Sequence, residues 1–115
     1  MNFIYFLFSC CITGQAQTHL VEYGMASYYS DDFHGKKTAS GEVYNKWAYT
    51  CAHRSLPFGT KLKVINLENK KSVIVRVNDR GPHKKDRIVD LSYIAASDID
   101  MITKGVVKVK IEVIK

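Results

Sequence analysis

SVIVRVNDRGP, residues 72–82, decides how this chain is read. Val73, Val75 and Val77 alternate with Ile74, Arg76 and Asn78, the period-two pattern of a strand with β-branched residues on one face. The run stops at Asp79-Arg80-Gly81-Pro82. Proline fixes its own φ and biases Gly81 away from helical backbone, so a sharp turn presents Asp79 and Arg80 at the strand end. A carboxylate on a rigid strand end, beside a guanidinium, suits acid–base chemistry. It equally suits capping of the turn through its own backbone.

Working outward, the chain reads as a succession of short strands. Gly24 to Tyr29 and Tyr49 to His53 are strand candidates, and in Thr60 to Ile65 Leu62 and Val64 alternate with lysines. Leu67 to Lys71 makes a hairpin connection into the Ser72 strand. Arg87 to Leu91 is short and extended. Ser92 is placed to cap a short helix, Tyr93 to Ile99, and Gly105 ends that region. Val107, Val109, Ile111 and Val113 then alternate with Lys108, Lys110, Glu112 and Ile114, the clearest strand in the chain. Phe33 to Tyr44, rich in Gly, Ser, Thr and Lys, reads as a long functional loop. About six strands and one or two short helices predict a small closed β-barrel, because closure removes exposed strand edges.

The length of 115 residues allows one domain. Residues 1–16 read as an export signal: an uncharged apolar run, Phe3 to Ile12, too short to span a bilayer, then Gly14-Gln15-Ala16 with small residues at the cleavage positions. Leu7-Phe8-Ser9 before Cys10 is an alternative, lipobox-like reading, and membrane anchoring is expected only if Cys10 is lipidated. The domain is then residues 17–115, exported to the periplasm or cell envelope. Cys51 is the one remaining thiol, so no internal disulfide forms, and its apolar neighbourhood predicts a buried, inert side chain. The four histidines lack metal-ligand spacing, and neither a metal nor another cofactor is expected. The formal charge of +6 lies wholly outside the signal. In an exported domain it favours anionic wall polymers or phospholipid surfaces over nucleic acid. Nothing signals homo-oligomerisation, so a monomer is expected.

Five segments stand out together: Gly24–Tyr29 with Phe33-His34-Gly35; Thr38–Glu42; Ala52-His53 with Leu56–Thr60; Val77–Pro82; and Arg87–Ser92. In order and spacing they resemble the rare lipoprotein A family, from about Tyr23 to Val113. The resemblance implies a six-stranded double-psi β-barrel and, in members that are septal-ring lytic transglycosylases, cleavage of the MurNAc–GlcNAc bond of peptidoglycan with formation of 1,6-anhydro-MurNAc ends. A hydrolytic glycosidase needs two carboxyls, but in the lytic reaction the sugar's C6 hydroxyl is the nucleophile and one carboxyl can serve twice. By match to the family, Asp79 is the catalytic acid, Glu42 the second acidic position and His53 the functional histidine, which either bonds Asp79 or is a satisfied barrel residue. Tyr29, His34, Thr38, Asn78 and Arg80 are the substrate-binding candidates, Tyr29 serving equally well as core. The Arg80 guanidinium is expected to turn away from Asp79, and Asp90 to cap the helix or brace the barrel. Tyr28, Ser30 and Cys51 stand where tryptophan, glycine and alanine are common in the family. A non-catalytic, expansin-like polysaccharide-binding module is the alternative, because a fold alone does not fix activity.

Overall fold

The computed structural model describes residues 20–115, so the expected signal segment and Cys10 lie outside the described residues. Six strands follow one another: β1 (Val21–Tyr28), β2 (Thr50–Ala52), β3 (Lys61–Asn66), β4 (Ser72–Asp79), β5 (Arg87–Leu91) and β6 (Val107–Ile114). A single 3-10 turn, Asp31–Phe33, follows β1, and one helix, α1 (Tyr93–Asp98), follows β5. The strands close in the order β1-β5-β2-β4-β3-β6. β1 with β5 and β2 with β4 are parallel and the other four pairs antiparallel. This is the six-stranded double-psi barrel that the resemblance implies.

Alternation builds the core. Val73, Val75 and Val77 of β4 point inward with Leu62 and Val64 of β3 and Val109 and Ile111 of β6, while Ile74 is exposed. Each such side chain contributes about 1.5–3 kcal/mol when fully buried. Cys51 is buried in the same cluster, and burial pushes its thiol well above the ordinary range, as its neighbourhood predicts.

Both parallel pairs slip register by one residue. Between β1 and β5, Met25 faces Arg87 and Ala26 faces Val89, leaving Ile88 extra. Between β2 and β4, Cys51 faces Val77 and Ala52 faces Asp79, leaving Asn78 extra. A one-residue bulge exchanges the faces of everything after it. Strict alternation would send Asp79 inward with Val73, Val75 and Val77; the extra residue turns it out to the end of the barrel.

The bulge at Ile88 also explains Gly24, because a Cβ there would lie 2.7 Å from Ile88 Cγ2. Gly24→Ala is expected to cost about 1–2 kcal/mol through this overlap. Urea unfolding checks it: the loss should shrink when Ile88→Ala is the background.

Ser92 occupies the N-cap position of α1 in extended backbone, but its hydroxyl makes no cap bond and lies buried without a partner. The capping expected of it is supplied from elsewhere. Tyr93 N–H donates to the Tyr44 hydroxyl at 3.1 Å and Ile94 N–H to the Lys46 carbonyl at 3.0 Å. Nor does Asp90 cap the helix: its Oδ1 accepts the Ser27 hydroxyl across the β1–β5 pair, bracing the barrel.

Candidate active site

Asp79, the last residue of β4, lies at one wall of an open cleft of about 550 Å³. The end of β1 with Tyr29, the 3-10 turn with Phe33, and the Arg80–Lys84 segment form the rest of the wall. Gly81 makes that segment's turn with φ +122°, a backbone conformation that favours glycine.

The Asp79 carboxylate has an unequal pair of oxygens. Oδ1 accepts two backbone amides, Arg80 N–H and Ala39 N–H, both at 2.8 Å. Oδ2 accepts the Tyr29 hydroxyl at 2.5 Å. Asp79 therefore caps its own turn, as one reading of the sequence has it, and also presents an oxygen beside the cleft. Tyr29 stacks on Tyr44 with centroids 4.3 Å apart and meets Phe33 edge-on. Burial, with the hydrogen bond to Asp79, raises the Tyr29 pKa far above the phenolic range, so its hydroxyl remains a donor. Tyr29 is thus both a packed residue and a cleft residue.

Glu42 stands on the 36–44 loop, outside the cleft lining. Its oxygens take a forked bond from Arg76, at 2.7 and 3.0 Å, and a third from Asn78 Nδ2 at 3.1 Å. These donors hold its carboxyl below the usual range. Glu42 is consequently ionised at neutral pH, and the clamp opens only as pH falls through that lowered value. The Thr38 hydroxyl donates to the Glu42 carbonyl at 2.9 Å, and Ser40 N–H reaches the Asn78 carbonyl at 3.3 Å. Glu42, Thr38 and Asn78 together dock the loop on β4, and the docked loop is what brings Ala39 N–H to Asp79.

His53 does not use its ring on Asp79. Nδ1 accepts the amides of Ser55 and Leu56, both at 3.2 Å, which assigns the ring proton to Nε2, and Nε2 meets Glu22 Oε1 at 2.7 Å. Both ring nitrogens are thus engaged, as a satisfied barrel histidine's would be. Its backbone does reach the site: His53 N–H donates to the Asp79 carbonyl at 3.1 Å, and its carbonyl accepts from Arg80 Nη1 at 3.2 Å. The Arg80 guanidinium lies over the Phe58 ring at 4.1 Å, turned away from the Asp79 carboxylate as expected. His34 is absent from the cleft lining; its Nδ1 accepts Lys46 N–H at 3.1 Å. Tyr28 does line the cleft and donates its hydroxyl to the Ile102 carbonyl at 2.9 Å.

Sequence reasoning passed over Arg76, Glu22 and the Ala39 amide. Arg76 carried a faint signal, as a charge in the outward register of β4 two residues before Asn78. Glu22 and the Ala39 amide carried none, because their partners come from distant strands.

The chain matches the family described as "Lytic transglycolase" over residues 21–111. It is similar to the "Endolytic peptidoglycan transglycosylase RlpA" of Helicobacter pylori, with 55% identity over 91 residues, 79% of this chain and 29% of that protein. The protein of the same name from Campylobacter jejuni is 58% identical over 91 residues, 79% of this chain and 33% of that one. The chain thus spans about a third or less of the length of these curated relatives. Among solved structures, the Streptomyces papain inhibitor superposes with a TM-score of 0.67 at 21% identity, over 84% of this chain and 96% of that one. The expansin of Clavibacter michiganensis gives 0.64 at 20%, over 84% of this chain and 51% of that one. At these identities the two neighbours share the fold.

Proposed function

Since this chain belongs to the lytic transglycolase family, we propose that it cleaves the β-1,4 bond between MurNAc and GlcNAc in peptidoglycan without water, leaving a 1,6-anhydro-MurNAc end. The observation that carries this reading is Asp79 at the cleft wall with Oδ2 on Tyr29, while the cleft's other acid, Asp90, is taken up by the Ser27 hydroxyl. Glu42, the other carboxyl matched to the family, is engaged by Arg76 and Asn78, so a paired-carboxyl hydrolase has less support.

Asp79 is the proposed acid and base. Two amides saturate Oδ1, so the proton is carried on Oδ2. Protonated Asp79 delivers that proton to the glycosidic oxygen; the bond from MurNAc C1 breaks, and the GlcNAc end leaves with a free 4-hydroxyl. The carboxylate then takes the proton of the MurNAc C6 hydroxyl as O6 bonds to C1. Atoms balance with no water consumed. Tyr29 holds Oδ2 in place and passes its hydroxyl bond to substrate or to Asp79 as the proton moves. Arg80, braced on Phe58, lines the cleft for sugar hydroxyls. Glu42, Thr38, Asn78 and His53 are positioning residues in this scheme. The protein acts as an exported monomer in the cell envelope, the compartment of its substrate.

Product identity is the test. Anhydro ends identified by mass spectrometry of digested peptidoglycan support the lytic reaction. Reducing MurNAc ends would mean a hydrolase, and binding without new ends a wall-binding module of the expansin kind. Tyr29→Phe is expected to lower kcat about tenfold, read from time courses of anhydro-product formation, since Oδ2 loses its one side-chain donor.

A further inference from the structure

The segment between β4 and β5 and the first residue of β5 bring cations to the cleft that contains Asp79. Lys46, Lys71, Lys104 and Lys110 each lie within 2.9 Å of an acidic side chain. Lys84, Lys85 and Arg87 have no carboxylate partner among the described residues. Two of these three, Lys84 and Arg87, line the cleft that contains Asp79.

The segment is built rather than loose. Arg54 reaches in from the far side and gathers its carbonyls: Nε donates to Pro82 O at 2.9 Å, and Nη2 donates to Arg87 O at 2.6 Å and to Lys84 O. Arg87 N–H closes on Lys84 O at 3.1 Å. The carbonyl oxygens that could have solvated the neighbouring cations are therefore occupied. The acids of the same cleft are occupied too, Asp79 by three donors and Asp90 by the Ser27 hydroxyl. Unpaired cations held close together repel one another, and an anion entering between them relieves that repulsion.

We infer that Lys84 and Arg87 form a carboxylate subsite of the cleft, so that the strand is read by its acidic groups as well as by its sugars. The inference rests on the peptidoglycan reading above. Such strands offer carboxylates from two sources: the lactyl group of MurNAc, free where the stem peptide has been removed, and the stem peptide itself where it remains. Arg87 supplies a planar fork suited to a carboxylate, and Lys84 a mobile point charge.

The experiment measures binding, so it does not depend on turnover. The full-length Asp79→Asn protein, alone and with Lys84→Gln and Arg87→Gln added, is titrated with peptide-stripped glycan, with the same glycan after conversion of its lactyl carboxyls to methylamides, and with peptide-bearing strands. Loss of about tenfold in affinity for a carboxylate-bearing strand on adding the two substitutions is expected, together with a shallower salt dependence. A drop confined to stripped glycan and abolished by amidation assigns the lactyl carboxylate; a drop confined to peptide-bearing strands assigns the stem peptide. Equal affinities for all three ligands in both proteins would overturn the subsite. Failure of the wild type to make anhydro ends, with this charge-dependent binding intact, would overturn the lytic reaction and leave the subsite standing.

Discussion

Asp79→Asn is expected to abolish anhydro-product formation, slowing it by about 10³-fold, while leaving the barrel as stable as the wild type to within about 0.5 kcal/mol. The asymmetry follows from the geometry of the carboxylate. Asparagine retains an oxygen for the Ala39 and Arg80 amides, so the turn and the docked loop keep their bonds. Its amide nitrogen replaces Oδ2, and the Tyr29 hydroxyl turns to accept instead of donate. What disappears is the capacity to give and retake a proton, which both halves of the reaction require. Time courses of product ends by mass spectrometry, run beside urea unfolding, measure the two quantities separately. Wild-type product yields from the variant would place the acid on another residue.

His53→Ala should behave in the opposite way, losing about 3 kcal/mol of stability, or roughly 15 °C in Tm. Removing the imidazole strands the amides of Ser55 and Leu56, deprives Glu22 of its partner and leaves a cavity at a site only 5% exposed. Activity should fall because the strand end that holds the Asp79 carbonyl loosens, and the pH profile of the remaining activity should not move. His53→Asn, whose side-chain oxygen can stand in for Nδ1, should recover part of the loss. A stable His53→Ala protein with little activity left and a shifted pH profile for that remainder would give the ring a direct part in proton transfer. Thermal unfolding with a pH–rate profile decides between them.

The two residues differ in how far sequence could foresee them. All six strands were legible, because each alternates or stops at a turn signal, and β5 falls on the expected residues, Arg87–Leu91. Asp79 at a strand end was legible from the Gly-Pro that follows it. The bulge at Asn78 was not, since an extra residue exists only relative to a partner strand, and β2 lies 20 residues or more away along the chain. Ser92 looked like a cap because its residue type and place were right; Tyr44, 49 positions before Tyr93, fills the role. The family resemblance placed Glu42 and His53 among the functional residues. It could not tell that one is tied to Arg76 and the other to Glu22, because the first contact is made when the 36–44 loop docks on β4 and the second joins segments 31 residues apart.

The extra residue in β4 limits how this chemistry can be transplanted. A designer who grafted NDRGP onto the end of a regular strand in another barrel would keep every reactive group and still bury the carboxylate among valines, where its charged form is strongly disfavoured. The graft has to include the miscounted register as well as the residues. By the same logic, deleting one residue at this point would silence the acid in a chain that still contains it, so motif matching alone would mistake such a chain for an active one.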